Sequence, residues 1–400
     1  MPIRLLFLNT RDQCGADVAV HLTLMKHFLP DEVQVFVISN SEASDVAEMR
    51  QHFAGMPHVT STFLPLGKPA AALAARSHLG RTLAYGPSLL SLARAARFIR
   101  KERIQIVHAT DRPRDASYVS LLGRMTPAIS VVHMHAPVAG LSRPTLWGMR
   151  NATAIFAVSE AVRKDLIDLG MGAGRIFTAH NAVDPGYFDP DRQSQAVPSI
   201  RAQFGIPAGA PLVGIAARMN PWKGQYELIG ATALLRQTFP DLHVMILGAD
   251  VPEMRADFQK RAHEGGIAER VHFGGFQKDV RPFLQELDLF VHPSYQEPFG
   301  LSIVEAMAMR KPVIACNTGG VPEIITHGSD GWLVEERSAQ SVATAMATLL
   351  NDRELARRLG ERARETVRNR FTPRHASAAV TRLYASLVSA KQPPLTATEA

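Results

Sequence analysis

Glu297-Pro-Phe-Gly-Leu-Ser-Ile-Val-Glu-Ala-Met-Ala308 is the stretch on which the reading of this chain turns. It follows an apolar run ending at His292, so a buried strand leads through a loop into a helix. Gly300 permits close backbone approach at the junction. The helix repeats apolar residues at Leu301, Val304 and Ala308, and Glu305 sits among them on its second turn. The first-turn N–H groups of such a helix point outwards and attract anionic oxygens. A carboxylate among apolar neighbours calls for polar partners, which a pair of ribose hydroxyls would supply. Glu297 lies in the loop, where it could meet the hydroxyls of a sugar. Taken alone, the stretch reads equally well as a capped surface helix with two ordinary glutamates.

A second stretch favours the ligand reading. Val213-Gly-Ile-Ala-Ala-Arg-Met-Asn-Pro-Trp-Lys-Gly224 is a buried strand that runs straight into a loop carrying Arg218 and Lys223. Both cations would stand at the carboxyl edge of a sheet, where ligands of open parallel sheets bind. Arg grips phosphate oxygens bidentately and Lys serves as a compact point charge. Outside that context the pair would be two solvated surface cations beside a proline turn.

Around these stretches, short β-type runs alternate with segments of helical period, the pattern of parallel sheets covered by helices. Strands are expected over 3–8, 33–38, 104–108, 129–133, 154–158 and 176–178, then over 212–217, 243–247, 271–273, 289–292, 313–315 and 331–334. Helices are expected over 15–28, 88–101, 116–122 and 160–169 in the first half. In the second they fall over 225–239, 251–265, 280–286, 300–309 and 321–326, followed by a charged helix over 352–370 and a segment over 375–387. Residues 184–198 are dense in Pro, Gly and polar side chains, which break both helix and strand and mark a linker. The expected organisation is an acceptor-binding Rossmann-like domain over 1–183, a linker over 184–200 and a donor-binding Rossmann-like domain over 201–375. A C-terminal helix returning to the first domain and a disordered polar tail would occupy 376–400.

Composition narrows the classes. The chain has 400 residues, 46% of them hydrophobic, enough for two ordinary soluble cores. No run reaches the ~18 apolar residues of a membrane span. The apolar run at Leu5-Leu6-Phe7-Leu8 is too short for a secretory signal and reads as a buried first strand, so the expected location is cytoplasmic. Two cysteines, Cys14 and Cys316, exclude a disulfide framework and lack metal-ligand spacing. A net charge of +7 favours anionic partners.

Together the two stretches resemble the retaining family 4 glycosyltransferases of the GT-B fold, an α/β architecture of two Rossmann-like domains with parallel sheets facing a central cleft. Glu297 and Glu305 match the E-x7-E motif, and Arg218 and Lys223 match the paired diphosphate-binding cations. The likeness continues through Asn317-Thr-Gly-Gly-Val-Pro-Glu323 and Gly328-Ser-Asp-Gly-Trp-Leu-Val334, with Ala157-Val-Ser-Glu160 and Asn181-Ala-Val-Asp184 upstream. It is strong from about residue 154 to 335 and diffuse before that. What it implies is a metal-independent transferase that moves a sugar, with retention of configuration, from a nucleotide-diphosphate sugar to a glycan, lipid-linked or small-molecule acceptor. A UDP-sugar is favoured on frequency. Glu305 would bind the ribose hydroxyls. Glu297 and the backbone N–H groups of Phe299, Gly300 and Leu301 would hold the sugar. Arg218 and Lys223 would neutralise the diphosphate.

In the first half, Thr10-Arg-Asp-Gln-Cys-Gly-Ala16 resembles the family's first loop, with Gly15 approaching the diphosphate and Cys14 where a second glycine is common. His133-Met-His-Ala-Pro137 resembles the segment whose histidine faces the sugar and acceptor, and His135 is the nearer of the two to the loop. Histidines at i and i+2 on a strand could hold a metal, but no third ligand is evident nearby in sequence. His108, Asp111 and Arg112 are weaker candidates for acceptor contact. Asp189-Pro-Asp191 spells the D-x-D of metal-dependent transferases but falls in the linker, so no metal or other cofactor is expected. Residues 88–103 carry Arg94, Arg97 and Lys101 opposite Leu89, Leu92, Ala96 and Ile99. That pattern fits an ordinary covering helix, or peripheral contact with anionic membrane on the cytoplasmic face.

Two enzyme classes of the same fold stay open, a nucleotide-sugar epimerase and a phosphorylase. The latter needs a pyridoxal-phosphate lysine for which no lysine here has convincing context. Nucleic-acid binding rests on charge alone and is not expected, since neither basic–aromatic interleaving nor a known module is present.

Overall fold

In this computed structural model, residues 1–11, 15–67, 78–192 and 199–391 are described, with the side chains of 16 and 78–88 outside the description. The chain divides into two compact units. One comprises Met1–His180 and Pro373–Ala400, the other Asn181–Thr372.

The amino-terminal unit is built on seven strands: β1 (Ile3–Asn9), β2 (Val33–Asn40), β3 (Val59–Leu64), β4 (Ile106–Thr110), β5 (Ile129–Met134), β6 (Ala154–Ala157) and β7 (Ile176–Thr178). They form one parallel sheet in the order β3-β2-β1-β4-β5-β6-β7. Helices cover both faces, so β1, β4 and β5 read as nearly unbroken apolar runs rather than alternating ones. The carboxy-terminal unit repeats the plan with β8 (Leu212–Ala216), β9 (His243–Leu247), β10 (Val271–Gly275), β11 (Leu289–His292), β12 (Val313–Cys316) and β13 (Trp332–Val334). Its order is β10-β9-β8-β11-β12-β13, again all parallel. In each unit the strand order reverses beside the first strand, between β1 and β4 and between β8 and β11. Such a reversal opens the crevice in which doubly wound sheets bind ligands.

Several elements differ from the sequence reading. The edge strand β3 was not expected, because its half-exposed Thr60-Ser61-Thr62 centre lacks an apolar run. The helices Val46–Ala54, Arg143–Asn151 and Ala339–Asn351 were also not expected. The helix expected over 88–101 spans His78–Lys101. On it Leu92, Ala96 and Ile99 are buried as expected, whereas Leu89 is 66% exposed beside an equally exposed Leu90.

Residues 184–192, read as linker, are bound into the carboxy-terminal unit. Arg281 lies 3.8 Å over the Tyr187 ring. The buried Arg364 pairs with Asp189 at 2.9 Å, and Arg310 holds both carboxylate oxygens of Asp191 at 2.9 Å. The helix Pro373–Lys391 lies with the amino-terminal unit. Its buried Tyr384 hydroxyl meets His108 Nδ1 at 2.6 Å. The expected disorder of the tail concerns residues 392–400, outside the described part.

Candidate active site

Two loops follow the strands that flank the switch point of the carboxy-terminal sheet, residues 217–224 after β8 and 293–300 after β11. The first is shaped by Asn220, whose Oδ1 accepts the Trp222 N–H, and by Gly224 at φ 78°. A Cβ on Gly224 would stand 2.3 Å from the Pro293 carbonyl oxygen, so the left-handed glycine is what lets the loops touch. The Ser294 hydroxyl and Tyr295 N–H both donate to the Trp222 carbonyl, and the Tyr295 hydroxyl donates to that of Pro221.

This suture brings Lys223 Nζ to 2.6 Å from Glu297 Oε2. His292, the buried last residue of β11, reaches the same oxygen with Nε2 at 2.8 Å, and Ser302 lies at its Nδ1. Burial alone would raise the Glu297 carboxyl. The Lys223 ammonium and the His292 ring outweigh that and hold it at about 2. Glu297 is thus a fixed carboxylate with one oxygen committed. Its backbone is fixed as well, since the Glu297 carbonyl accepts the Gly320 N–H at 2.9 Å. Gly319, at φ 54°, would place a Cβ 2.2 Å from that carbonyl oxygen. Gly319→Ala should therefore strain both loops, costing on the order of 2–4 kcal/mol. A melting temperature within 1–2 °C of wild type, a shift of less than about 1 kcal/mol, would refute this.

Gly300 enters the helix Leu301–Ala308 at φ 112°, and no side chain caps its first turn. Glu305 lies one turn further, half-buried. Burial pushes its carboxyl up to about 7, and no hydrogen bond or ion pair engages it among the described residues. Arg218 is exposed just past β8, and its carbonyl is fixed by the Gln225 side chain. The carboxy-terminal unit therefore gathers Arg218, Lys223, Glu297, Phe299, Gly300, Leu301 and Glu305 on two sutured loops and one helix. The D-x-D aspartates take no part: Asp189 and Asp191 are committed to Arg364 and Arg310.

In the amino-terminal unit, Gly15 caps the helix Ala16–His27 at φ −111°, a conformation open to any residue. What crowds it is the side chains of Arg11 and Asp17, either of which a Cβ would meet at 2.8 Å. Residues 12–14, with Cys14, lie outside the described part. Asp17 is nearly buried and accepts from Arg11 and Arg112. His135, just beyond β5, is half-buried, and the next N–H, of Ala136, donates to Asp111. Burial pushes the Asp111 carboxyl up to about 6. His108 is not an acceptor-facing group, because it is fully buried against Phe156 and Tyr384.

Residues 197–366 match the family described as glycosyl transferases group 1, and residues 18–187 match glycosyltransferase family 4. The N-acetyl-alpha-D-glucosaminyl L-malate synthase of Bacillus anthracis is 30% identical over 300 residues, covering 72% of this chain and 76% of that protein. The chain belongs to glycosyltransferase family 4. Another relative, the lipopolysaccharide core biosynthesis glycosyltransferase LpsE of Rhizobium meliloti, is 35% identical over 191 residues, 48% of this chain and 53% of its own. A GDP-mannose-dependent alpha-(1-6)-phosphatidylinositol monomannoside mannosyltransferase of Mycobacterium tuberculosis is 35% identical over 194 residues, 46% of this chain and 49% of its own. The match thus spans about half the length of these last two relatives. Among solved structures, Anabaena HepE in complex with UDP superposes with a TM-score of 0.78 at 23% identity, covering 96% of this chain and all of that one. This family member therefore has the GT-B fold.

His292, Ser302 and Gly319 are supporting residues that the sequence reading did not single out. A histidine closing a buried strand five residues before the motif glutamate was the available signal.

Proposed function

We propose that this glycosyltransferase moves a sugar, with retention of configuration, from a nucleotide-diphosphate sugar held by its carboxy-terminal unit. The observation that carries the proposal is the convergence of an anchored carboxylate, two cations and an uncapped helix terminus at the switch point of one sheet. Glu305, whose carboxyl has no partner among the described residues, takes the ribose hydroxyls. The free oxygen of Glu297 and the N–H groups of Phe299, Gly300 and Leu301 take the sugar. Arg218 and Lys223 receive the negative charge that grows on the departing diphosphate, usually the largest catalytic contribution. As the bond from the anomeric carbon to phosphate oxygen breaks, the acceptor oxygen bonds to that carbon on the same face. Its proton passes to the departing phosphate, so no separate base is required.

The two cations supply the charge that metal-dependent transferases take from a divalent ion, which supports a metal-independent transfer. UDP is the first choice of nucleotide, supported by its presence in HepE, with GDP next. The amino-terminal unit is assigned the acceptor, with His135 towards the sugar and Gly15 at the diphosphate. A glycan or lipid-linked acceptor is supported by the lipopolysaccharide-core and phosphatidylinositol relatives. The exposed Leu89 and Leu90 beside exposed Arg94 and Arg97 support contact with anionic lipid. No helix among the described residues is long and apolar enough to cross a membrane.

The test is turnover of UDP-, GDP- and ADP-sugars in EDTA, with nucleotide release and the product anomer followed. Release with one base, insensitive to EDTA and giving a product of the donor's own anomeric configuration, is expected. An inverted product or abolition by EDTA would overturn the proposal. Conversion of donor to its epimer without acceptor would favour the epimerase.

A further inference from the structure

The amino-terminal unit contains a cluster of buried histidines that includes His135, the residue assigned above to the sugar. His21 lies mid-way along the helix Ala16–His27, His133 on β5 and His135 just past its end, and β4 carries His108 alongside. Folding stacks these rings on one another: centroids are 4.2 Å apart for His133 and His135, 5.4 Å for His21 and His135, and 5.5 Å for His21 and His133. One ring nitrogen from each of the three lies within 4.8 Å of the others.

Nε2 of His21, Nε2 of His135 and both ring nitrogens of His133 are buried without a hydrogen-bond partner. The Ala179 carbonyl is turned towards the His133 ring but falls short of hydrogen-bond geometry. Leaving such groups unpaired is costly, on the order of 1–3 kcal/mol each. A core that needed only packing would hold Phe or Leu there. Histidine binds a transition metal through a ring-nitrogen lone pair, and each of these three rings offers a buried nitrogen without a partner.

We propose that His21, His133 and His135 form a binding site for a divalent transition metal of the zinc type. Three histidines with a fourth position open is an established zinc arrangement. At a Zn–N distance of about 2.0–2.1 Å, the ligand nitrogens of a tetrahedral ion stand roughly 3.3–3.5 Å apart. The ring nitrogens, within 4.8 Å of one another, would have to close inward on the ion to reach this spacing. His108 stays outside the set, since its Nδ1 is engaged by Tyr384. The ion would not meet the diphosphate. It would fix the ring orientation of His135 through the buried Nε2, and because it acts through His135 the inference rests on the reading above. EDTA sensitivity of turnover that disappears in His21→Phe reports this site, and EDTA sensitivity that persists there reports the donor site. The sequence showed two of the ligands but not the third, which stands 112 positions before His133 and is indistinguishable there from a core histidine.

The test is titration of the EDTA-stripped, full-length protein with Co²⁺, followed by the d–d absorption of four-coordinate cobalt, and then with Zn²⁺ to displace it. One ion per chain and a higher melting temperature are expected. His21→Phe, which keeps a ring in the aromatic cluster, and His135→Gln should each weaken binding by more than about 100-fold, since even outer-shell losses reach that. Absence of four-coordinate cobalt in the wild type would overturn the site. So would one-to-one binding retained in both variants, which would place the ion on other histidines.

Discussion

Replacing Lys223 by alanine is expected to lower turnover by on the order of 10²–10³-fold, the cost of removing one preorganised charge from the developing anion. Two effects combine. The diphosphate loses a cation, and Glu297 loses the ammonium 2.6 Å away that, together with His292, outweighs its burial. Its carboxyl then rises from about 2 towards the ordinary range, with His292 the remaining partner. Lys223→Arg should restore only part of the rate, because a planar fork cannot occupy the point-charge position. Glu297→Gln on top of Lys223→Ala should cost less than the product of the single losses, because the two side chains act as a unit. Steady-state kinetics with the cognate donor decide this. A turnover within threefold of wild type would remove Lys223 from the reaction.

Glu305→Gln should produce a protein that is more stable and yet binds its nucleotide much more weakly. The folded-state value of about 7 lies above the unfolded one, so the folded chain carries the extra proton between about pH 4.5 and 7. Stability is lost as the pH rises through that window, and above 7 the full cost of a buried carboxylate is present. A shift of that size corresponds to roughly 3 kcal/mol at most, and partial exposure reduces it to on the order of 1–2 kcal/mol. Glutamine removes this cost at pH 8 and changes little at pH 4, which melting curves at both values would register. Nucleotide affinity runs the other way. Ribose hydroxyls donate to the ionised carboxylate, so binding is tightest above pH 7 and weakens by up to about tenfold per unit below it. That slope should vanish in Glu305→Gln. Equal affinity in the two proteins at pH 8 would refute the ribose assignment.

Much of the fold was legible because buried parallel strands announce themselves as apolar runs, and the two units repeat one plan. Of what escaped, the polar centre of β3 lies at a sheet edge, where burial is partial, whereas the helix Ala339–Asn351 buries Val342, Ala345, Met346 and Leu349 at helical spacing, a period that was present in the sequence and passed over. In the donor site the residue types and their loops were readable from the spacing of Arg218, Lys223, Glu297 and Glu305. The Lys223–Glu297 pair was not, because it depends on how Gly224 and Gly319 seat one loop against the next. Linker composition was misleading for the opposite reason. Turn-rich residues 184–192 are held by Arg281, Arg310 and Arg364, all distant in sequence. His21 carried no local signal at all.

The most direct test of the donor site is a thermal shift with UDP, GDP and ADP, each in EDTA, on the wild type and on Glu305→Gln. A nucleotide at 100 times its Kd adds about 2.7 kcal/mol to stability, readily visible in Tm. A rise with one nucleotide, absent in the variant, is the predicted result. No rise with any of the three, or an equal rise in both proteins, would contradict it.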